Sequence, residues 1–90
     1  MKEQVFSLKN ELGLHMKPAA MFVQEASKFK CSIKVSKEGE GTKINGKSIM
    51  GLLMLAAEYG SKLTIKADGP DEKEAVAALA KLFQDKFGED

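Results

Sequence analysis

Gly13-Leu14-His15-Met16-Lys17-Pro18-Ala19-Ala20 fixes where the first helix begins, and the rest of the fold can be laid out from that point. Pro18 suits a first helical turn, because the N–H it lacks has no intrahelical partner there. Downstream, Ala19, Phe22, Val23, Ala26 and Phe29 recur at helical spacing, which predicts a helix from about Met16 to about Lys30. His15, the only histidine, then sits at or one residue outside the helix N-terminus. Free backbone N–H groups and the positive end of the helix dipole converge at such a place, and they favour an anion such as phosphate. A neutral imidazole beside that anion can act as a nucleophile toward phosphorus. A lone histidine near a helix start is more often a solvated residue or an incidental cap, so the neighbours decide. Gly13 permits unusual backbone angles just before the histidine. Lys17 puts a cation where the dipole disfavours one, which suggests that an anion visits.

Working outward, the remaining chain reads as alternating strands and helices. Gln4 to Lys9 alternates, with Phe6 and Leu8 facing in and Ser7 and Lys9 facing out. Cys31, Ile33 and Val35 alternate with Ser32, Lys34 and Ser36 in a second strand. Glu38-Gly39-Glu40-Gly41 makes a hairpin tip leading to a short third strand at about Thr42 to Asn45. Ser48 is placed to N-cap a second helix that runs to about Tyr59, with Gly60 as the residue that stops it. Ile49, Met50, Leu52, Leu53, Met54 and Leu55 leave that helix without a polar face, so part of its apolar surface must meet solvent. Leu63, Ile65 and Ala67 mark a fourth strand. Asp71 and Glu74 form a capping box for a last helix whose buried face is Ala75, Val76, Leu79, Leu82 and Phe83, ended by Gly88. The order βαββαβα, with one apolar face per strand, predicts an α+β open-faced sandwich: a four-stranded antiparallel sheet covered on one side by three helices.

Ninety residues suit one domain over 1–90 with a single modest core. A formal net charge of +1 argues against a dedicated nucleic-acid surface, and the five phenylalanines sit mostly at core spacing. One cysteine, Cys31, makes neither an internal disulfide nor a zinc cluster, and its alternating context reads as a small buried hydrophobe. Met1 to Asn10 is polar and alternating, unlike a secretory leader, and no stretch has the length of a membrane span. The expectation is a cytoplasmic protein without membrane insertion, metal or cofactor.

With both helix starts in view, the chain resembles the HPr family, the histidine-containing phosphocarriers of the bacterial phosphoenolpyruvate-dependent sugar phosphotransferase system. One motif reads Gly13-Leu14-His15-Met16-Lys17-Pro18-Ala19, and the other reads Asn45-Gly46-Lys47-Ser48-Ile49-Met50-Gly51-Leu52. The resemblance implies that His15 accepts a phosphoryl group on a ring nitrogen from enzyme I and passes it to an enzyme II A component. It implies that Ser48 can be phosphorylated by an HPr kinase/phosphorylase. On this reading Lys17 stabilises the phosphate, and Met16, Ala20, Ile49, Met50 and Leu53 form the partner-docking patch of a monomer. Two positions depart from the usual pattern. Met16 replaces an alanine and adds a flexible apolar contact. Lys17 replaces an arginine, so the charge is kept while the planar fork that grips phosphate bidentately is lost.

A stoichiometric carrier needs only the histidine, and no second titratable group is plainly placed to complete an enzymatic set. The competing class is a regulatory adaptor or co-regulator, including one of a nitrogen-type branch, whose Ser48 helix docks on another protein and in which sugar transport is secondary.

Overall fold

A computed structural model describes residues 1–89; Asp90, the last residue of the domain expected over 1–90, lies outside the described residues. Four strands, β1 (Lys2–Ser7), β2 (Ser32–Lys37), β3 (Ile44–Asn45) and β4 (Lys62–Asp68), form one antiparallel sheet in the order β1-β4-β2-β3. Helices α1 (Met16–Ala26), α2 (Ile49–Met54) and α3 (Glu72–Gln84) cover one face, which is the expected open-faced sandwich. Register explains which face is covered. Phe6 lies opposite Leu63, Val35 opposite Ile65 and Ile33 opposite Ala67, so the apolar sets of three strands fall on one side. Glu3 opposite Lys66 and Ser36 opposite Thr64 leave the other side polar.

The helices reach the sheet through an aromatic chain centred on Phe83 of α3. Its ring stacks on Phe6 with centroids 4.8 Å apart and meets Phe22 of α1 edge-on at 6.3 Å. Buried Ala19, Phe22 and Ala26 give the inner stripe of α1, with Val23 and Phe29 half-buried beside them. On α3, Ala75, Val76, Leu79 and Phe83 are buried and Leu82 is half-buried. Cys31 is buried, as its alternating context implied.

Several element ends differ from the sequence reading, each for a tertiary reason. β1 starts at Lys2 and ends at Ser7, two residues ahead of the expected Gln4–Lys9, because Lys2 to Ser7 is what β4 pairs with. Helix α1 stops at Ala26, not near Lys30: Lys28 N and Phe29 N shift to the carbonyls three residues back, Glu25 O and Ala26 O, and Lys30 N and Cys31 N then donate to the two carboxylate oxygens of Asp71 at 2.8 and 2.9 Å. Asp71 is thereby withdrawn from the capping box assigned to it, and its side chain makes no cap hydrogen bond. Glu72, the first helical residue, instead accepts from Gly69 N at 3.1 Å and closes the turn before the helix. β3 is limited to Ile44–Asn45.

Helix α2 ends at Met54, well before Tyr59, and the left-handed residue that follows it is Ala56 (φ 51°); Gly60 is left-handed too (φ 88°) but lies further on and does not end the helix. Leu55 and Ala57 enter the core, and Ala57 O accepts Leu14 N at 3.0 Å, so the chain leaves the helix to run under the loop before α1. Gly60 serves instead in the approach to β4, where its N donates to Leu8 O. After α3, Gly88 does not simply end the helix: a short 3₁₀ turn, Lys86–Gly88, folds the chain back with Phe87 buried.

Candidate functional site

The loop Asn10–Leu14 carries the chain from β1 to His15 and is pinned at several points. Gly13 N donates to Asn10 O and Leu14 N to Ala57 O, both at 3.0 Å, and the Leu14 side chain is buried. Gly13 adopts φ 72°, and a Cβ there would lie 2.5 Å from Ala57 O. Both the angle and the close approach require glycine, so the freedom read from the sequence is used.

His15 is the N-cap residue of α1, with extended backbone (φ −90°, ψ −168°) and no side-chain cap hydrogen bond. Its carbonyl starts the helix by accepting Ala19 N at 3.0 Å. Met16 and Lys17 are the first two helical residues, so their N–H groups have no carbonyl one turn back within the helix, and Pro18 has none to offer. The helix therefore begins without the usual side-chain oxygen over its positive end, and its N-cap side chain is an imidazole still 36% exposed.

A carboxylate reaches that imidazole from the far end of the chain. Glu89 Oε2 and Oε1 lie 2.8 and 3.0 Å from His15 Nε2. Oε1 also accepts from Asn10 Nδ2 at 3.0 Å, and the fully buried Asn10 spends its other N–H on Gly13 O at 2.5 Å. The His15 hydrogen bond, followed by that from Asn10 and by Coulombic attraction to His15 and then Lys17, holds the Glu89 carboxyl below the usual carboxylate range, against the opposing effect of desolvation. Lys17 itself is exposed. What brings Glu89 here is the final turn: Lys86 (φ 52°), Phe87 (φ 53°) and Gly88 (φ 73°) are successively left-handed. Two non-glycine residues in that region cost about 1–2 kcal/mol each. Burying the Phe87 ring edge-on against Phe83, 5.0 Å between centroids, returns about 1.5–3 kcal/mol. The two nearly cancel, so the Glu89 contacts bear on whether the turn holds.

Ser48, the second candidate, is the N-cap of α2 with extended backbone, and its Oγ accepts Gly51 N at 3.1 Å. The cap expected there is formed. Preceding it, Lys47 Nζ donates to Phe29 O at 2.7 Å and ties this corner to the end of α1. Of the apolar residues assigned to docking, Met16 and Met50 are 59% and 68% exposed. Ala20, Ile49 and Leu53 are half-buried, with Ile49 and Leu53 packed against the core, while Leu52 is sealed inside. Met54, which the sequence reading left out of the patch, is 76% exposed and belongs to the same short helix. Glu89 and Asn10 were also missed. A polar asparagine at a strand end and a glutamate past the last helix carry no local signal; the only hint was an apolar Phe87 beyond the helical stripe. No helix of the described residues is long and apolar enough to cross a membrane, and no group of three potential ligands among them could hold a metal ion.

Comparison with known proteins gives this arrangement its class. Residues 2–85 match the family model described as the PTS HPr component phosphorylation site. The phosphocarrier protein HPr of Neisseria meningitidis is 45% identical over 89 residues, covering 99% of this chain and 98% of that one. The HPr-like protein Crh of Bacillus subtilis is 42% identical over 85 residues, 94% of this chain and 98% of its own length. The crystal structure of HPr-C-His from Thermoanaerobacter tengcongensis superposes with a TM-score of 0.92 at 48% identity, covering 100% of this chain and 99% of that one. The chain belongs to the HPr family of phosphocarriers of the phosphotransferase system.

Proposed function

We propose that His15 is the phosphoryl acceptor, taking the group from enzyme I, whose own donor is phosphoenolpyruvate, and giving it to an enzyme II A component in sugar uptake. The observation that carries this is the start of α1, where a half-exposed N-cap imidazole that makes no cap hydrogen bond stands beside the Met16 and Lys17 N–H groups, which have no intrahelical partner, and the Lys17 side chain. Those donors favour the added negative charge without burying it, as a carrier that must hand the group on requires. The chain acts as a stoichiometric carrier, not an enzyme: its partners supply the remaining catalytic groups. Met16, Ala20, Ile49, Met50 and Leu53 receive both partners, a cytoplasmic monomer serving each in turn. Ser48 is the regulatory position, a substrate for HPr kinase/phosphorylase where one is present.

The test is a chase. Incubated with enzyme I and phosphoenolpyruvate, the protein gains one phosphoryl group by intact mass and loses it when an enzyme II A component is added. A group that forms and then stays through the chase would contradict the relay. A second reading, the regulatory adaptor, is favoured by the match to Crh and by the exposed methionines next to Ser48. It predicts labelling of Ser48 by a kinase with little transfer from His15 to any enzyme II A component.

A further inference from the structure

Glu89 is separated from His15 by 74 positions, yet it is the group that touches the imidazole most closely among the described residues. Three features make the contact directional. First, Glu89 is held as a carboxylate, an acceptor only, so the ring nitrogen it meets must carry the hydrogen. That nitrogen is Nε2, facing both oxygens. Second, the carboxylate is itself held. Asn10 Nδ2 donates to Oε1 and to Gly13 O, and since both partners are acceptors, the buried amide has one orientation. Third, the backbone carrying Glu89 is anchored by the buried Phe87 ring two residues earlier.

We infer that Glu89 is a positioning residue for phosphoryl transfer: it holds the neutral His15 ring in the tautomer with hydrogen on Nε2, leaving the lone pair on Nδ1. This rests on the reading of His15 as the acceptor. In the step, the Nδ1 lone pair forms the N–P bond while the bond from phosphorus to the donor atom breaks, its electron pair leaving with the donor. The Nε2 hydrogen stays in place. With Nδ1 bonded to phosphorus and the hydrogen still on Nε2, the ring carries a positive charge, and that charge faces the Glu89 carboxylate. Onward transfer reverses the bookkeeping of bonds: the N–P pair returns to Nδ1 and no proton has moved. A fixed carboxylate behind an imidazole thus orients the nucleophile and meets the charge it develops.

A single histidine makes the test direct, since the imidazole nitrogen spectrum has one source. Nitrogen-15 NMR of the unphosphorylated protein, at a pH where the ring is neutral, should show the parent almost wholly as the Nε2–H tautomer. Glu89→Gln and Glu89→Ala should move both ring-nitrogen shifts toward a tautomer average, and transfer from enzyme I should slow by about tenfold. Glu89→Asp, shorter but still anionic, should recover part of both readouts. Parental tautomer populations in Glu89→Gln and Glu89→Ala would overturn the inference. So would faster transfer in those variants, which would mean that the carboxylate competes with the incoming phosphate. The tautomer measurement needs no phosphoryl donor, so a parent that takes up no phosphate would refute the carrier reading without touching this result.

Discussion

The N-termini of α1 and α2 begin with the same backbone, an extended N-cap residue, and are finished in opposite ways. At α2, Ser48 closes its own helix by accepting Gly51 N. At α1, His15 occupies the same position and its side chain makes no such bond; among the described residues, the carboxylate beside it is Glu89, imported from the far end of the chain. Ordinary stability chemistry favours the first solution by about 1 kcal/mol. Leaving α1 uncapped forgoes that gain, and on the function proposed for His15 it keeps a place for phosphate beside the nucleophile. In the proposed regulation the hydroxyl at α2 would also carry a phosphate, but there the group would sit near half-buried Ile49 and Leu53 and exposed Met50. On the proposed function, one terminus holds a phosphoryl group in passing. The other is a finished cap, and charge added to it acts on whatever docks against it.

That contrast can be broken most severely from the tail. Phe87→Ala removes the buried ring that anchors the final turn, and its expected cost is about 3–5 kcal/mol of unfolding free energy by denaturant titration. The His15 imidazole should lose its Glu89 partner in the same variant, visible in its nitrogen spectrum, while the Ser48 cap is unaffected.

Charge at the open terminus comes next. Lys17→Glu should slow transfer from enzyme I by roughly 10–100-fold in stopped-flow measurements, equivalent to about 1.4–2.8 kcal/mol at the transition state. Lys17→Arg should transfer as fast as the parent or faster, because a guanidinium can grip the phosphoryl oxygens in pairs. An unchanged rate in Lys17→Glu would remove this side chain from the account.

Ser48 variants probe the closed terminus. Ser48→Ala should cost about 1 kcal/mol, a fall in Tm of about 4–8 °C for a domain of this size, with enzyme I binding retained. Ser48→Asp caps as well as serine while adding charge, so its Tm should stay near the parent's while calorimetric affinity for enzyme I drops. Parental affinity in Ser48→Asp would leave Ser48 as a cap alone.

The smallest effect concerns a third terminus, that of α3. The Asp71 carboxyl is held below the usual range chiefly by the Lys30 N–H, with the Cys31 N–H adding to it. Its folded pKa is thus lower than its unfolded one, so its contribution is full above the unfolded value, about 3.9, and is lost as pH falls through the folded value. Asp71→Asn should lower Tm at neutral pH, and the gap from the parent should close as pH falls into that range. A gap that persists undiminished in acid would mean that the carboxylate charge is not what matters there.

Local pattern carried much of this molecule. Alternation in Ile33, Val35, Leu63, Ile65 and Ala67 gave the covered face of the sheet, and Pro18 and Ser48 gave two helix starts, because each of those signals acts within a turn or a strand. The ends of α1 and α2 were not legible, since they are set by Asp71 clamping Lys30 and Cys31 from 41 and 40 positions away and by Ala57 receiving the loop before His15. The same holds at the site. His15 was marked by the sequence next to it, whereas Glu89 reaches it from 74 positions away, once α3 and the final turn are in place, and only then meets Asn10.

The central claim is that the open terminus, not the capped one, takes the phosphoryl group from enzyme I. Intact mass of His15→Ala and Ser48→Ala, each incubated with enzyme I and phosphoenolpyruvate and then split between acid and base treatment, tests it most directly. The account predicts no added phosphate on His15→Ala and a full, acid-labile, base-stable phosphate on Ser48→Ala. Labelling that survives in His15→Ala would contradict it.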